Sequence, residues 1–237
     1  MIRKAFAVAA IASLVAAIGA CAAQPSIDAM PSTASQPLVP LNVSPNTYTS
    51  PIPLALGMPI GTNVFPDGDT ATGGQGQKMD GQFICKYQWS MAFSVWAHLS
   101  IFDSSGKQIM VPEGIGDVAP WTFTQTPAGQ YISRAKCGYN IMTIDRTGII
   151  VVCAPTPFSP TLGELFDFWG MPLSTTNVAG YTGTVWVKLH HRPSGPDGNW
   201  TSSIDPRSIV LTNGLQVTLA VGSPVNPVPI YSHLYGN

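Results

Sequence analysis

From residue 80 onward, apolar and polar positions alternate with a period of two, as in strands whose two faces have different surroundings. The clearest case is the run 91–102. Met91, Phe93, Val95, Ala97, Leu99 and Ile101 fall on one face, and Ala92, Ser94, Trp96, His98, Ser100 and Phe102 on the other. The first face is strongly apolar and the second is mixed. Asp103-Ser-Ser-Gly-Lys107 is turn chemistry, which predicts a hairpin return over 108–111. A second hairpin is predicted from 139–144 and 149–153 around a turn at 145–148. In that register position 142 lies opposite 151, and Cys153 opposite Asn140. A third pair is predicted between 184–189 and 209–211, with 215–221 closing the sheet after Asn213-Gly214. The Pro- and Gly-bearing stretch 190–200 reads as a loop.

One segment breaks the alternation. Thr161-Leu-Gly-Glu164 has the spacing of a capping box, in which a hydroxyl and a carboxylate satisfy free N–H groups at a helix start. Leu162, Leu165, Phe166 and Trp169 follow at helical spacing, and Gly170 with Pro172 ends the run. The predicted fold is therefore all-β, a β-sandwich or small barrel, with one short α-helix near 161–169.

The N-terminal third reads differently. Arg3 and Lys4 precede an uncharged small-residue run, 5–20, that fits the apolar region of a secretory signal and is short for a membrane span. It ends in Ile18-Gly19-Ala20-Cys21, which resembles a bacterial lipobox. That resemblance implies cleavage before Cys21, a diacylglycerol thioether on its sulfur and an acyl group such as palmitate on its amine. Ala22 is not the Asp that marks inner-membrane retention, so an outer-membrane lipoprotein is implied. A conventional signal cut nearby, with Cys21 incidental and the protein secreted, is the other reading. Residues 22–66 hold nine Pro and a single charge before Asp67, which suits an extended spacer. Its apolar patch 52–60 (IPLALGMPI) either belongs to that spacer or packs along the domain as an edge segment. The organisation expected is a signal over 1–20, a Pro/Gly-rich tether over 21–79 and a β-domain over 80–237.

Composition narrows the functional classes. Only 10% of the 237 residues are charged, with 23 Gly and 22 Pro, which excludes a coiled coil or long-helix protein. Removing 1–20 leaves nine basic and twelve acidic residues, a formal charge of −3, so nothing favours nucleic acid. There is no Gly-x-Ser-x-Gly elbow, phosphate loop or His-Glu-x-x-His. Two Glu (Glu113 in a loop, Glu164 in the cap) and turn-borne Asp80, Asp103, Asp117 and Asp145 do not suggest a glycosidase pair.

Four stretches resemble pieces of one family of uncharacterised secreted bacterial and archaeal proteins. They are Asp80-Gly-Gln-Phe-Ile-Cys85, Ala97-His98-Leu99, Asp145-Arg-Thr-Gly-Ile-Ile150, and 161–173 (TLGELFDFWGMPL). The family's pattern is D-G-x-x-C, H-x-H-A-H-L, H-T-H-D-x-S-G-x-I-H and F-T-L-G-x-F-F-x-x-W-G. The resemblance implies a metal site built from histidines that share one strand face and face each other across the second hairpin. This chain departs there. Ser94, Trp96, Met142, Ile144 and Val151 stand where the pattern has His, and Trp89 where it has Glu. His98 and Asp145 remain, too few for a zinc site of three or four ligands. The expectation is a pocket converted to core, with no cofactor. The resemblance also implies a disulfide between Cys85 and Cys137. Cys153 is then expected to be a buried thiol or to pair between molecules.

Other chemistry is sparse. His190-His191 reads as a solvated turn, since adjacent strand residues point to opposite faces. Trp169 and Trp186 fall at core positions, whereas Trp121 and Trp200 lie in loops where an exposed ring could stack on a sugar or a protein. The leading expectation is a non-enzymatic, lipid-anchored binding or structural accessory, bound to the membrane through its lipid, with a protein or glycan partner. The alternatives are a residual metal or redox protein using His98, Asp145, Cys153 and His190, and a carbohydrate-binding module using the loop Trp.

Overall fold

In the computed structural model, which describes residues 51–68, 84–87, 92–191 and 198–232, the alternating segment becomes the long strand in the middle of the largest sheet. The signal run and Cys21 lie outside the described residues, as does Trp89. In chain order the first strands are β1 (Ile52–Pro53), β2 (Phe93–Phe102), β3 (Gln108–Ile109), β4 (Asp117–Val118) and β5 (Thr122–Thr126). Next come β6 (Gly129–Arg134), β7 (Cys137–Gly138), β8 (Ile141–Met142) and β9 (Ile149–Ala154). The helix α1 (Leu162–Trp169) is followed by β10 (Leu173–Ser174), β11 (Asn177–Val178), β12 (Tyr181–Thr182), β13 (Val185–His191), β14 (Leu215–Val221) and β15 (Tyr231–Ser232). Among the described residues the fold is mostly β, with several sheets and one α-helix. The main sheet, in the order β13-β14-β2-β9-β8 with β3 also on β2, is not a closed barrel.

Two hairpins form where turn chemistry predicts them. Ile101 faces Ile109 across β2 and β3, and Met142 faces Val151 across β8 and β9. The backbone N–H of Cys153 donates to Asn140 O at 2.9 Å, so that register holds to its end. The third predicted pair does not form. β13 pairs antiparallel with β14 over seven residues, from Val185 opposite Val221 to His191 opposite Leu215. That register puts Val187 beside Leu219 and Leu189 beside Val217 on one apolar face, a longer match than 209–211 offers. Residues 209–211 instead lie against the start of α1, where Leu162 N–H donates to Ile209 O at 2.9 Å and Leu211 N–H to Pro160 O at 2.7 Å. Nor does β14 close an edge; it runs parallel to β2, with Leu219 beside Ile101. His190 and His191, predicted to begin a loop, still belong to β13, and residues 192–197 lie outside the described residues.

The helix has the predicted cap. Thr161 Oγ1 accepts from Glu164 N–H at 3.3 Å, and Glu164 Oε2 accepts from Thr161 N–H at 2.7 Å. Gly170 ends it in the left-handed region at φ 75°, a conformation that only glycine adopts without strain. Leu162, Leu165, Phe166, Phe168 and Trp169 pack with Val95, Ala97, Leu99, Ile101, Ile150, Val152, Val217 and Leu219 on the apolar face of the sheet.

The opposite face is covered by the apolar patch 52–60. β1 pairs in parallel with β15, Ile52 beside Tyr231, and Leu54 and Ile60 are buried over the sheet. The folded unit therefore reaches back to residue 51, ahead of the predicted boundary at 80. The Pro spacing excludes a regular helix or strand interior, but it permits an irregular strap with alternate apolar contacts.

Cys85 and Cys137 form a disulfide with a Cα–Cα distance of 5.4 Å, across 52 residues. In the chain-entropy model such a loop stabilises by about 4 kcal/mol. Replacing both with Ser is expected to lower unfolding stability by about that amount, read as a drop in the urea midpoint at unchanged slope.

Candidate functional site

The strap covers the sheet face on which the motif resemblance places its histidines. Trp96, on β2, is the cross-strand neighbour of Val151 on β9, and Val151 is the neighbour of Met142 on β8. His98 neighbours Ile149 one step along. The structure thus brings positions 96, 98, 142 and 151 onto one face, with Ile144 in the same group. What stands there is apolar: Trp96, Met142, Ile144, Ile149, Val151 and Cys153 form one buried cluster with Leu54, Ile60 and Tyr231. Ser94, by contrast, is exposed at the margin.

His98 and Asp145 lie at the same place in the fold but are held by Thr147. His98 Nε2 lies 2.8 Å from Thr147 O, and the ring packs against Tyr231 with centroids 4.3 Å apart and planes tilted by 36°. Nε2 must then carry the proton, since a carbonyl only accepts. Asp145 Oδ1 accepts from Thr147 N–H at 3.0 Å and from the Thr147 hydroxyl, while Oδ2 accepts from Gly57 N–H at 2.8 Å. Asp145 therefore ties the hairpin turn to the strap. Gly148 completes the turn at φ +83°, where a Cβ would stand 2.5 Å from Leu99 O. Full burial pushes the His98 pKa down to about 4, against the raising effect of its bond to Thr147. Burial pushes Asp145 up, with its hydrogen bonds opposing.

The other candidates are dispersed. Cys153 is fully buried and disulfide-bonded, not the expected thiol. Cys85 and Cys137 bond to each other, so the partner of Cys153 lies outside the described residues. His190 lies half-buried in a strand, beside Gln216 on β14, and is not in a turn. Among the described residues no three His, Cys, Asp or Glu side chains form a group able to hold a metal ion. Trp169 is buried; Trp186 is only half-buried, its Nε1 donating to Gly222 O at 3.2 Å. Trp121 and Trp200 are half-buried, and Trp121 packs edge-on against Phe123 at 6.1 Å.

Two buried carboxyls escaped the sequence pattern, because both follow loop-like Gly and Pro. Glu113 is 1% exposed; its Oε1 lies 3.0 Å from Arg146 Nη2, which also reaches Asp67 at 3.1 Å. Its pKa is raised by burial against the pull of Arg146. Asp117, at the start of β4, is fully buried and neither carboxylate oxygen has a hydrogen-bond partner. Burial alone pushes it up to about 8. No family model, curated protein or solved structure gives a match to this chain.

Two measurements check this account. Trp96→Ala, which empties the centre of the covered cluster, is expected to cost about 3–5 kcal/mol in chemical denaturation. Asp117 binds a proton in the folded state between its ordinary value of 3.8 and about 8, where the unfolded chain has lost it. Stability contributed by this group therefore falls as pH rises through that window. His98 acts oppositely between about 4 and 6.5, where only the unfolded chain is protonated. Asp117→Asn is expected to raise stability at pH 7 and to flatten the fall in melting temperature between about pH 4 and 8.

Proposed function

We propose that this chain is a non-enzymatic extracytoplasmic β-domain, moored to the bacterial outer membrane by lipid on Cys21, and acting as a binding or structural accessory around a degenerate histidine metal site. One observation carries the reading. The positions that the motif resemblance assigns to metal ligands share a face, and that face holds Trp, Met, Ile and Val under an apolar strap. Each large apolar side chain so buried stabilises by about 1.5–3 kcal/mol, which favours keeping the cluster over restoring ligands. The two residual polar groups are engaged with the backbone of one turn and of the strap.

The disulfide on Cys153 favours a second reading of the N-terminus. A sulfur carrying a diacylglycerol thioether cannot also form a disulfide, so a chain that used Cys21 as the partner would be secreted without lipid. Intact-mass analysis of the mature chain separates the two: an acylated Cys21 with Cys153 open to thiol labelling in denaturant supports anchoring, and an unacylated product overturns it. Metal analysis of the purified full chain is expected to find zinc, copper and iron each well below one equivalent. One equivalent that disappears in His98→Ala would overturn the degenerate-site reading.

A further inference from the structure

The strap covers only part of the second sheet face. Over β13 and β14 that face is polar and opens into a cleft of about 240 Å³, roofed by residues 226–230. Its floor is two cross-strand pairs, Lys188 with Thr218 and His190 with Gln216. Directly opposed strand residues stand about 5 Å apart, so the ammonium and the hydroxyl present to the same small volume.

The cleft is held open by its own framework. The Gln216 carboxamide donates to Tyr231 O at 2.6 Å and accepts from Tyr231 N–H at 2.9 Å. Ile52 N–H donates to Ile230 O at 2.8 Å, fixing the same segment from the strap side. Pro227 and Pro229 restrict the backbone of the roof, which lowers the entropy lost when a ligand enters. With Gln216 committed to Tyr231, Lys188 and Thr218 form the cross-strand pair on the floor that offers a guest a cation and a hydroxyl, beside His190 and Asn226 in the lining.

The charges and surfaces select its chemistry. Among the described residues no carboxylate lines the cleft and no ion pair involves Lys188. Pro227, Val228, Pro229 and Ile230 give the opposite wall an apolar surface. Any anion can meet Lys188 and Thr218, but a bare inorganic one also loses hydration against that wall, whereas an apolar body gains by covering it. We propose that this cleft binds a small organic carboxylate, its anionic end on Lys188 and Thr218 and its apolar body against 227–230. That volume, below the range of drug-sized pockets, confines the guest to a single small molecule.

This inference rests on reading the domain as a binding module; its failure leaves the lipid and metal tests untouched, and theirs leave it untouched. The test titrates the purified full chain with benzoate, with neutral benzamide and with inorganic phosphate, following backbone amide signals by NMR. Benzoate is expected to shift signals at 188–190, 216–218 and 226–230 saturably, with at least tenfold weaker shifts at equal concentration for the other two. Lys188→Gln should weaken benzoate binding at least tenfold and Lys188→Arg should retain it. Thr218→Val, nearly isosteric and leaving the charge in place, should weaken it several-fold. Absence of saturable shifts at these positions, an equal response to benzamide or phosphate, or a Lys188→Gln variant that binds as before would each overturn the proposal.

Discussion

A sheet with both faces buried must satisfy whatever polar groups it carries, and that constraint organises this molecule. Residues 95–102 of β2 are all buried, as are all six residues of β9 and all seven of β14. One face meets α1 through apolar side chains alone. The other carries His98, Ser100 and Gln216 into a poorly hydrated layer, where an unmet hydrogen bond costs about 1–3 kcal/mol. The fold answers by stitching. His98 engages Thr147, Gln216 clamps the Tyr231 backbone, and Gln108 donates to Ser100 Oγ and Tyr231 Oη at 3.3 and 3.1 Å. Covering this face and satisfying it are the same structural event, because Tyr231 and the strap supply both the bulk and many of the partners.

Local signals carried well into the structure. The helix was legible in Thr161, Glu164 and Gly170, whose roles depend only on neighbours within a turn or two. The pairing of Met142 with Val151 was legible because a tight turn fixes the register of its hairpin. Non-local features were not. The parallel pairing of β14 with β2 has no connecting turn to betray it, and 209–211 was as apolar a candidate partner for β13 as β14 itself. The patch 52–60 announced its apolarity but not its destination, since a proline-broken segment has no period to read. Asp117 looked like a turn residue, yet β4 pairs with β7 and buries it, Asp117 facing Gly138. That is a tertiary outcome with no local signature.

The chemistry follows the same division. Residue types raised the expectation of apolar bulk at positions 96, 142 and 151, where the resembled pattern has histidines, and the register brings those positions together beside His98. Burial and hydrogen bonding, which only the fold displays, decide what the surviving polar side chains do. Asp145 is a brace between turn and strap, and His98 is a neutral ring packed against Tyr231. Meanwhile the polar part of the same face that escapes the strap, around Lys188 and Thr218, attracts no attention in the sequence, because one lysine and one threonine at strand spacing form no motif.

The parallel pairing of Ile52 with Tyr231 joins positions 179 residues apart. During vectorial synthesis or export, the strap emerges early and finds no partner until the last part of the domain has followed. Until then Trp96, Met142 and Val151 lack the cover that Tyr231 and the strap give them, so the side that is driest once folding is complete is the last to be shielded.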